Sequence, residues 1–131
     1  MLGLIRHAVR VAHSLLRERA KEKRSPHWRE VRDSFLESHQ ACAACATSTR
    51  LQVHHIKPFH LDHPLELDPS NLIALCMGPN ECHIRIGHGD DFKAYNPNVI
   101  ADAHDSLVRP ADRTEIAERA KNARLYTLDN L

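Results

Sequence analysis

The sequence predicts an α+β fold, a small strand–loop–strand–helix centre with helices on both sides of it. Three observations point there. Apolar residues in the first part of the chain recur at spacings of three and four, the period of a helix with one buried stripe. Two short apolar runs, Leu51 to Ile56 and Asn71 to Leu75, flank a stretch that holds Pro58, Pro64 and Pro69, as two strands joined by a long loop would. Four cysteines and several histidines are grouped around those runs. At 131 residues the chain fits one compact domain.

Taken in order, Leu4, Ile5, Ala8, Val11, Ala12, Leu15 and Leu16 fall on one stripe of a helix running to about Lys23, with the arginines largely opposite. Ser25-Pro26 reads as an N-cap followed by the first helical residue. The helix it opens carries Trp28, Val31, Phe35 and Leu36 on its buried side and ends near His39. Cys42-Ala43-Ala44-Cys45 is a knuckle-like turn. Leu51 to Ile56 is a partly alternating strand ending in a histidine doublet. Lys57 to Ser70 is a long ordered loop, a kind that is uncommon in compact domains and often functional. Asn71 to Leu75 is the second strand and Gly78-Pro79-Asn80 a turn. Glu81 to about Ile86 is a brief helix closed by Gly87 at the left-handed cap position. Two helices follow, Asn98 to Leu107 and Asp112 to about Arg124, the second with Glu115 as a capping-box partner.

Charge is distributed unevenly. Residues 1–32 hold nine Lys/Arg against three acids, a balance of +6, whereas the remainder holds nine bases against fourteen acids, −5. A basic arm on an acidic body is one footprint of a nucleic-acid binder, and equally what a solvated helix face looks like. No segment approaches the roughly 20 apolar residues of a membrane span. Arg6, Arg10 and Arg17 interrupt any apolar signal segment. A cytoplasmic location is expected, and in a reducing compartment four cysteines are better metal ligands than disulfide partners. With an aromatic share of 5%, few large side chains are available to fill a core, so a bound metal is expected to add stability.

Cys42 and Cys45 can turn both thiolates onto one ion. Cys76 and Cys82 form a second pair, separated by five residues, Met77 to Glu81, whose Gly78-Pro79-Asn80 can still bring the sulfurs together. Four thiolates suit a tetrahedral structural zinc; four buried free thiols are the plainer alternative. His54 and His55 on a strand point to opposite faces, so they divide between one metal ligand and one group that addresses substrate or water. His83 follows Cys82 directly and is rotated from it by about 100° on a helix, so adjacent residues can serve two sites. His88 lies five residues on, where a four-residue spacing stacks better; the glycine between is expected to bend the chain back toward His83.

The run "CAAC…VHHIKPFH…DPSNLIALC…ECHIRIGH" resembles the HNH endonuclease family, from Cys42 to His88. "HWREVRDSFLESH" and "YNPNV" are similar to the flanks of small free-standing bacterial and prophage members. The resemblance implies a ββα-metal centre and a single nuclease domain over residues 1–131: a basic helical arm (1–40), the metal core with its zinc knuckle (41–92) and C-terminal helices (93–131). It implies that His54, His83 and His88 ligate a catalytic divalent ion (Mg, Mn, Ni or Zn) and that His55 is the general base. It implies that Asn71 ties the loop and strand ends together and orients His55 by hydrogen bonding. Cys42, Cys45, Cys76 and Cys82 become the structural zinc site, and DNA the partner. Residues of these types suit phosphodiester hydrolysis, which needs an activated water and charge stabilisation at phosphorus. Lys57 and Arg85, beside the centre in sequence, are candidates for holding flanking phosphates.

A non-catalytic zinc-knuckle protein that binds nucleic acid or organises an assembly is the competing reading, but it leaves His54, His55 and His83 without a task. A zinc peptidase is excluded by the lack of a His-Glu-x-x-His helix.

Overall fold

The computed structural model describes residues 2–21 and 23–127, with side chains described for 2–12 and 23–127. In chain order its elements are α1 (Leu2–Lys21), α2 (Trp28–Ser38), β1 (Leu51–His55), β2 (Leu72–Cys76), a π-helical turn (His83–Gly87), β3 (Ala94–Tyr95), α3 (Val99–Val108), α4 (Arg113–Ala123) and β4 (Leu125–Tyr126). Helices are thus mixed with small sheets. The loop between β1 and β2 is shaped by two 3₁₀ turns, His63–Leu65 and Pro69–Asn71.

β1 and β2 pair antiparallel in a register that runs from Leu51 opposite Cys76 to His55 opposite Leu72. Alternation along the pleat then sorts the side chains. Ile73 and Leu75 pack with Ile86, Val99 and Ala103 on one side of the ribbon. On the other side Leu72, Ala74 and Val53 meet Phe35, Trp28, Val31 and Leu36 of α2. A two-stranded ribbon is marginal alone; covering both faces is what stabilises this one.

Several boundaries differ from the sequence expectation for identifiable reasons. The N-cap of α2 is His27 rather than Ser25. Ser25 instead closes the preceding turn, its hydroxyl accepting from His27 N–H at 3.1 Å and its carbonyl from Trp28 N–H at 3.1 Å. Asp112 does precede α4, but it makes no side-chain cap, so the box with Glu115 does not form; Pro110–Asp112 enters the helix as a 3₁₀ turn instead. The left-handed glycine after the metal-side helix is Gly89, at φ 59°, and not Gly87. A Cβ on Gly89 would lie 2.9 Å from the Ala120 carbonyl oxygen. The apolar side chains Leu2, Leu4, Ile5, Val9 and Val11 of α1 are exposed rather than buried; Leu15 and Leu16 of the same stripe lie outside the described side chains. The pair β3–β4, two residues each, was not expected from sequence.

The C-terminal helices are fastened to the π-helical turn by a buried polar network. Asn96, fully buried, receives a hydrogen bond through its side-chain oxygen from Asn98 N–H at 2.9 Å. Its amide donates to the Ile86 carbonyl at 3.0 Å and to Asp102 Oδ2 at 2.7 Å, and its backbone N–H donates to the Gly87 carbonyl at 2.9 Å. Asp102 in turn accepts from Arg119 of α4. Buried groups deprived of such partners each cost about 1–3 kcal/mol. Asn96→Ala strands two acceptors and a donor, and chemical denaturation is expected to show a loss of about 3 kcal/mol; a change below about 0.5 kcal/mol would mean that the network does not secure the turn.

Candidate metal centres and adjoining cavity

Cys42 and Cys45 are held on a turn closed by Ala46 N–H to the Cys42 carbonyl at 2.8 Å and Cys42 N–H to the Thr47 carbonyl at 2.7 Å. Cys76 ends β2 and Cys82 precedes the π-helical turn. All four sulfurs lie within 4.8 Å of one another, so the five-residue gap of the second pair does not prevent convergence. Cys45 Sγ and Cys76 Sγ are 3.7 Å apart and no disulfide joins them. That is close to the edge, about 3.8 Å, of a tetrahedron of thiolates with metal–sulfur bonds of about 2.3 Å. Hydrogen bonding from Cys82 pulls the Cys42 thiol down to about 5, while the same contact and burial push Cys82 up. Burial also raises Cys76. Without a cation, therefore, one thiolate is stable here and the next is opposed. The four cysteines could hold a structural metal, and an ion would resolve that opposition.

On the other side of the Cys82–His83 peptide bond a second group converges, His54, His83 and His88, again within 4.8 Å. The π-helical turn explains the five-residue spacing. In a regular α-helix residues five apart are about 140° apart around the axis; the wider i→i+5 turn brings His88 round to His83. Gly87 lies within this turn because a Cβ there would sit 3.1 Å from Leu75 Cδ1 and 3.2 Å from the His54 ring. The glycine is a cradle for an imidazole, not a cap.

Partners determine which nitrogens carry protons. His88 Nδ1 is 2.7 Å from the Ala94 carbonyl oxygen, which can only accept, so Nδ1 donates and Nε2 keeps its lone pair. His83 Nδ1 donates likewise to Gln52 Oε1 at 2.9 Å. The two Nε2 atoms then face each other at 3.2 Å, lone pair to lone pair. His54 Nε2 is buried with no hydrogen-bond partner. Burial lowers all three rings, His83 to about 4, with neighbouring imidazoles adding to the effect at His54 and His83. Two imidazoles with their lone pairs facing, and a third that has a partnerless buried nitrogen within 4.8 Å of them, fit a divalent cation.

His55 points to the opposite face of β1 and packs on Trp28, ring centroids 4.5 Å apart. Its Nε2 donates to the Glu66 carbonyl at 2.9 Å, which leaves Nδ1 as the basic nitrogen. Burial lowers its pKa, and Arg24 contributes in the same sense, while the Glu66 carbonyl opposes. Despite facing the other way from His54, His55 lines the same cavity as His54, His83 and His88, of about 500 Å³.

Asn71 staples the ends of the loop. Its side chain accepts from Lys57 N–H at 2.9 Å and donates to the carbonyls of Lys57 and Leu65 at 3.1 and 3.3 Å. It does not hydrogen-bond His55; that bond comes from Glu66, next to Leu65 in the loop Asn71 secures. Lys57 pairs with Asp62 at 3.3 Å, off the histidine cavity. Arg85 lines a separate cavity with Arg113 and Thr114, because the π-helical turn rotates it away from His83.

The histidine cavity also holds residues that sequence reasoning did not single out: Arg24, Phe59, Phe92 and Lys93. In sequence Arg24 is one of the nine basic residues of the first 32. Its guanidinium lies over the Phe59 ring at 4.7 Å and the Trp28 ring at 5.6 Å. Nη1 is 3.7 Å from Glu66 Oε2. Burial pulls its pKa down and Glu66 pulls it up, and it remains a cation. Glu66, 4% exposed, could not be found by motif, since its carbonyl as well as its carboxylate is used.

Residues 40–89 match the HNH endonuclease family model, and both candidate metal centres lie in that segment. Comparison with curated proteins and with solved structures returned no match. Among the described residues no helix is long and apolar enough to cross a membrane.

Removing one ligand from a closed four-thiolate site should release its ion. Cys42→Ala is expected to lose one equivalent of bound metal by elemental analysis and to melt more than about 10 °C below the parent, the scale of several kcal/mol in a domain of this size. A variant that keeps its metal and its melting temperature would count against a structural site.

Proposed function

We propose that this chain is a metal-dependent DNA endonuclease that hydrolyses phosphodiester bonds at a ββα-metal centre built from β1, β2 and the π-helical turn. One observation carries the reading: a histidine with a fixed tautomer opens on the same cavity as three imidazoles whose free nitrogens converge. The HNH domain match supports a nuclease, and members of that family act on DNA.

His55 is the general base. With Nε2–H committed to Glu66, Nδ1 takes the proton of the attacking water, an effect typically worth about 10²–10⁴-fold. Burial keeps that ring neutral and able to accept. His54, His83 and His88 are the residues that hold the catalytic ion, Mg, Mn, Ni or Zn, and their neutrality leaves its charge uncancelled for a phosphate. When bound, that ion supplies Lewis acidity at the phosphoryl and departing 3′ oxygens. Asn71 keeps the loop closed so that the Glu66 carbonyl stays against His55. Cys42, Cys45, Cys76 and Cys82 hold a structural zinc, a role supported by the convergence of their four sulfurs within 4.8 Å. The basic N-terminal segment, with Lys57 and Arg85 off the cavity, adds contacts to flanking phosphates. A reducing, cytoplasmic setting suits the thiolate site.

The test is nicking of supercoiled plasmid across a panel of magnesium, manganese, nickel and zinc, with chelator as control. His55→Ala is expected to reduce nicking at least about 10²-fold while circular dichroism and zinc content match the parent. Nicking at the parent's rate would remove His55 from the mechanism. A parent chain that binds DNA but cleaves it with none of these ions would instead be a non-catalytic zinc-bearing DNA-binding or assembly protein.

A further inference from the structure

The cavity has a floor of imidazoles and needs something to hold the rest of an anionic substrate against it. Arg24 is on its wall, and three features distinguish it from an ordinary surface arginine. Its guanidinium is laid over Phe59 and Trp28, the ring that also packs on His55. The nearest carboxylate oxygen, Glu66 Oε2, is 3.7 Å away, long for a hydrogen bond. One ion pair at that distance leaves donors of the planar fork available to a second anion.

Glu66 links this arginine to the base. Its carbonyl accepts from His55 Nε2 at 2.9 Å, and its Oε1 accepts from Ser25 N–H at 2.9 Å, which fixes the backbone next to Arg24. Oε2 is buried without a hydrogen bond and attracts the guanidinium. One residue therefore sets the tautomer of His55 through its main chain and the position of Arg24 through its side chain.

We propose that Arg24 binds a nucleic-acid phosphate in this cavity through its guanidinium fork, and that Glu66 is the positioning residue that aims it. An arginine fork matches two phosphate oxygens, which a lysine does not. The inference rests on the nuclease reading for the reaction, yet it concerns binding and can be judged without cleavage.

The experiment is fluorescence anisotropy of a labelled DNA duplex with the full chain as isolated and no divalent salt added, titrated over a range of KCl. Arg24→Gln, which keeps a hydrogen-bonding side chain beside Glu66, is expected to weaken binding about ten-fold and to lower the slope of log Kd against log salt by about 1. Arg24→Lys, a milder change that guards against misfolding, should keep the slope and yet bind several-fold more weakly. Glu66→Gln should weaken binding less than Arg24→Gln, and the double variant should be no weaker than Arg24→Gln alone, as expected if Glu66 acts through Arg24. Parent-like affinity and slope in both Arg24 variants would overturn the proposal, and an additive double variant would overturn the role of Glu66. A parent that binds but cleaves with no ion would end the nuclease reading while these binding measurements still decide the fate of Arg24.

Discussion

The ladder between Leu51–His55 and Leu72–Cys76 is the constraint to which everything else is referred. It is short, and its register puts His54 on the side of the π-helical turn and His55 on the side of α2. A slip by one residue would exchange the two faces, burying His55 among the other imidazoles and turning His54 toward Trp28. The ladder also ends at Cys76, so the same pairing that aims the imidazoles delivers a sulfur to the cluster. Leu75, fully buried between the strand and Gly87, makes such a slip costly, since it would turn a leucine side chain out of the core.

Around this ladder two kinds of reinforcement act at different ends. Near the cysteines the turns are held by backbone hydrogen bonds, and the four sulfurs could hold a metal as well. Near the histidines they are held by groups from elsewhere in sequence: the Gln52 side chain on His83, the Ala94 backbone carbonyl on His88, and the Asn96–Asp102–Arg119 network behind them. The C-terminal helices thus act as a frame for the π-helical turn. That division suits a centre in which one ion is structural and another has to meet a substrate.

Much of this was legible in the residues, and the exceptions have physical causes. Both strands lie within a residue of where their composition put them, because short β-branched and apolar runs bounded by turn residues leave few other choices. The doublet's opposite orientation follows from the period of a strand, and the grouping of four cysteines from their number and their turn-forming spacers. The π-helical turn was not legible, because five residues carry no period; its sequence sign is a five-residue histidine spacing, which looked like an irregularity. In sequence Gly87 has the place of a cap, because glycine after a short helix usually is one, while its actual task, admitting the His54 ring, is a tertiary contact. Arg24 and Glu66 are 42 residues apart in number and meet only because the loop folds back over the start of α2. Lys57 and Arg85 illustrate the converse: closeness in sequence to a histidine does not carry a side chain to its cavity.

The absence of a side chain at Gly87 has one more effect. The imidazole of His54 lies against the backbone of the turn and is 3% exposed, so packing holds its rotamer. His83 and His88 are similarly pinned through their second nitrogens. Rings already held by their neighbours would surrender little freedom to a cation that they bound, so the entropic cost of arranging them is met during folding.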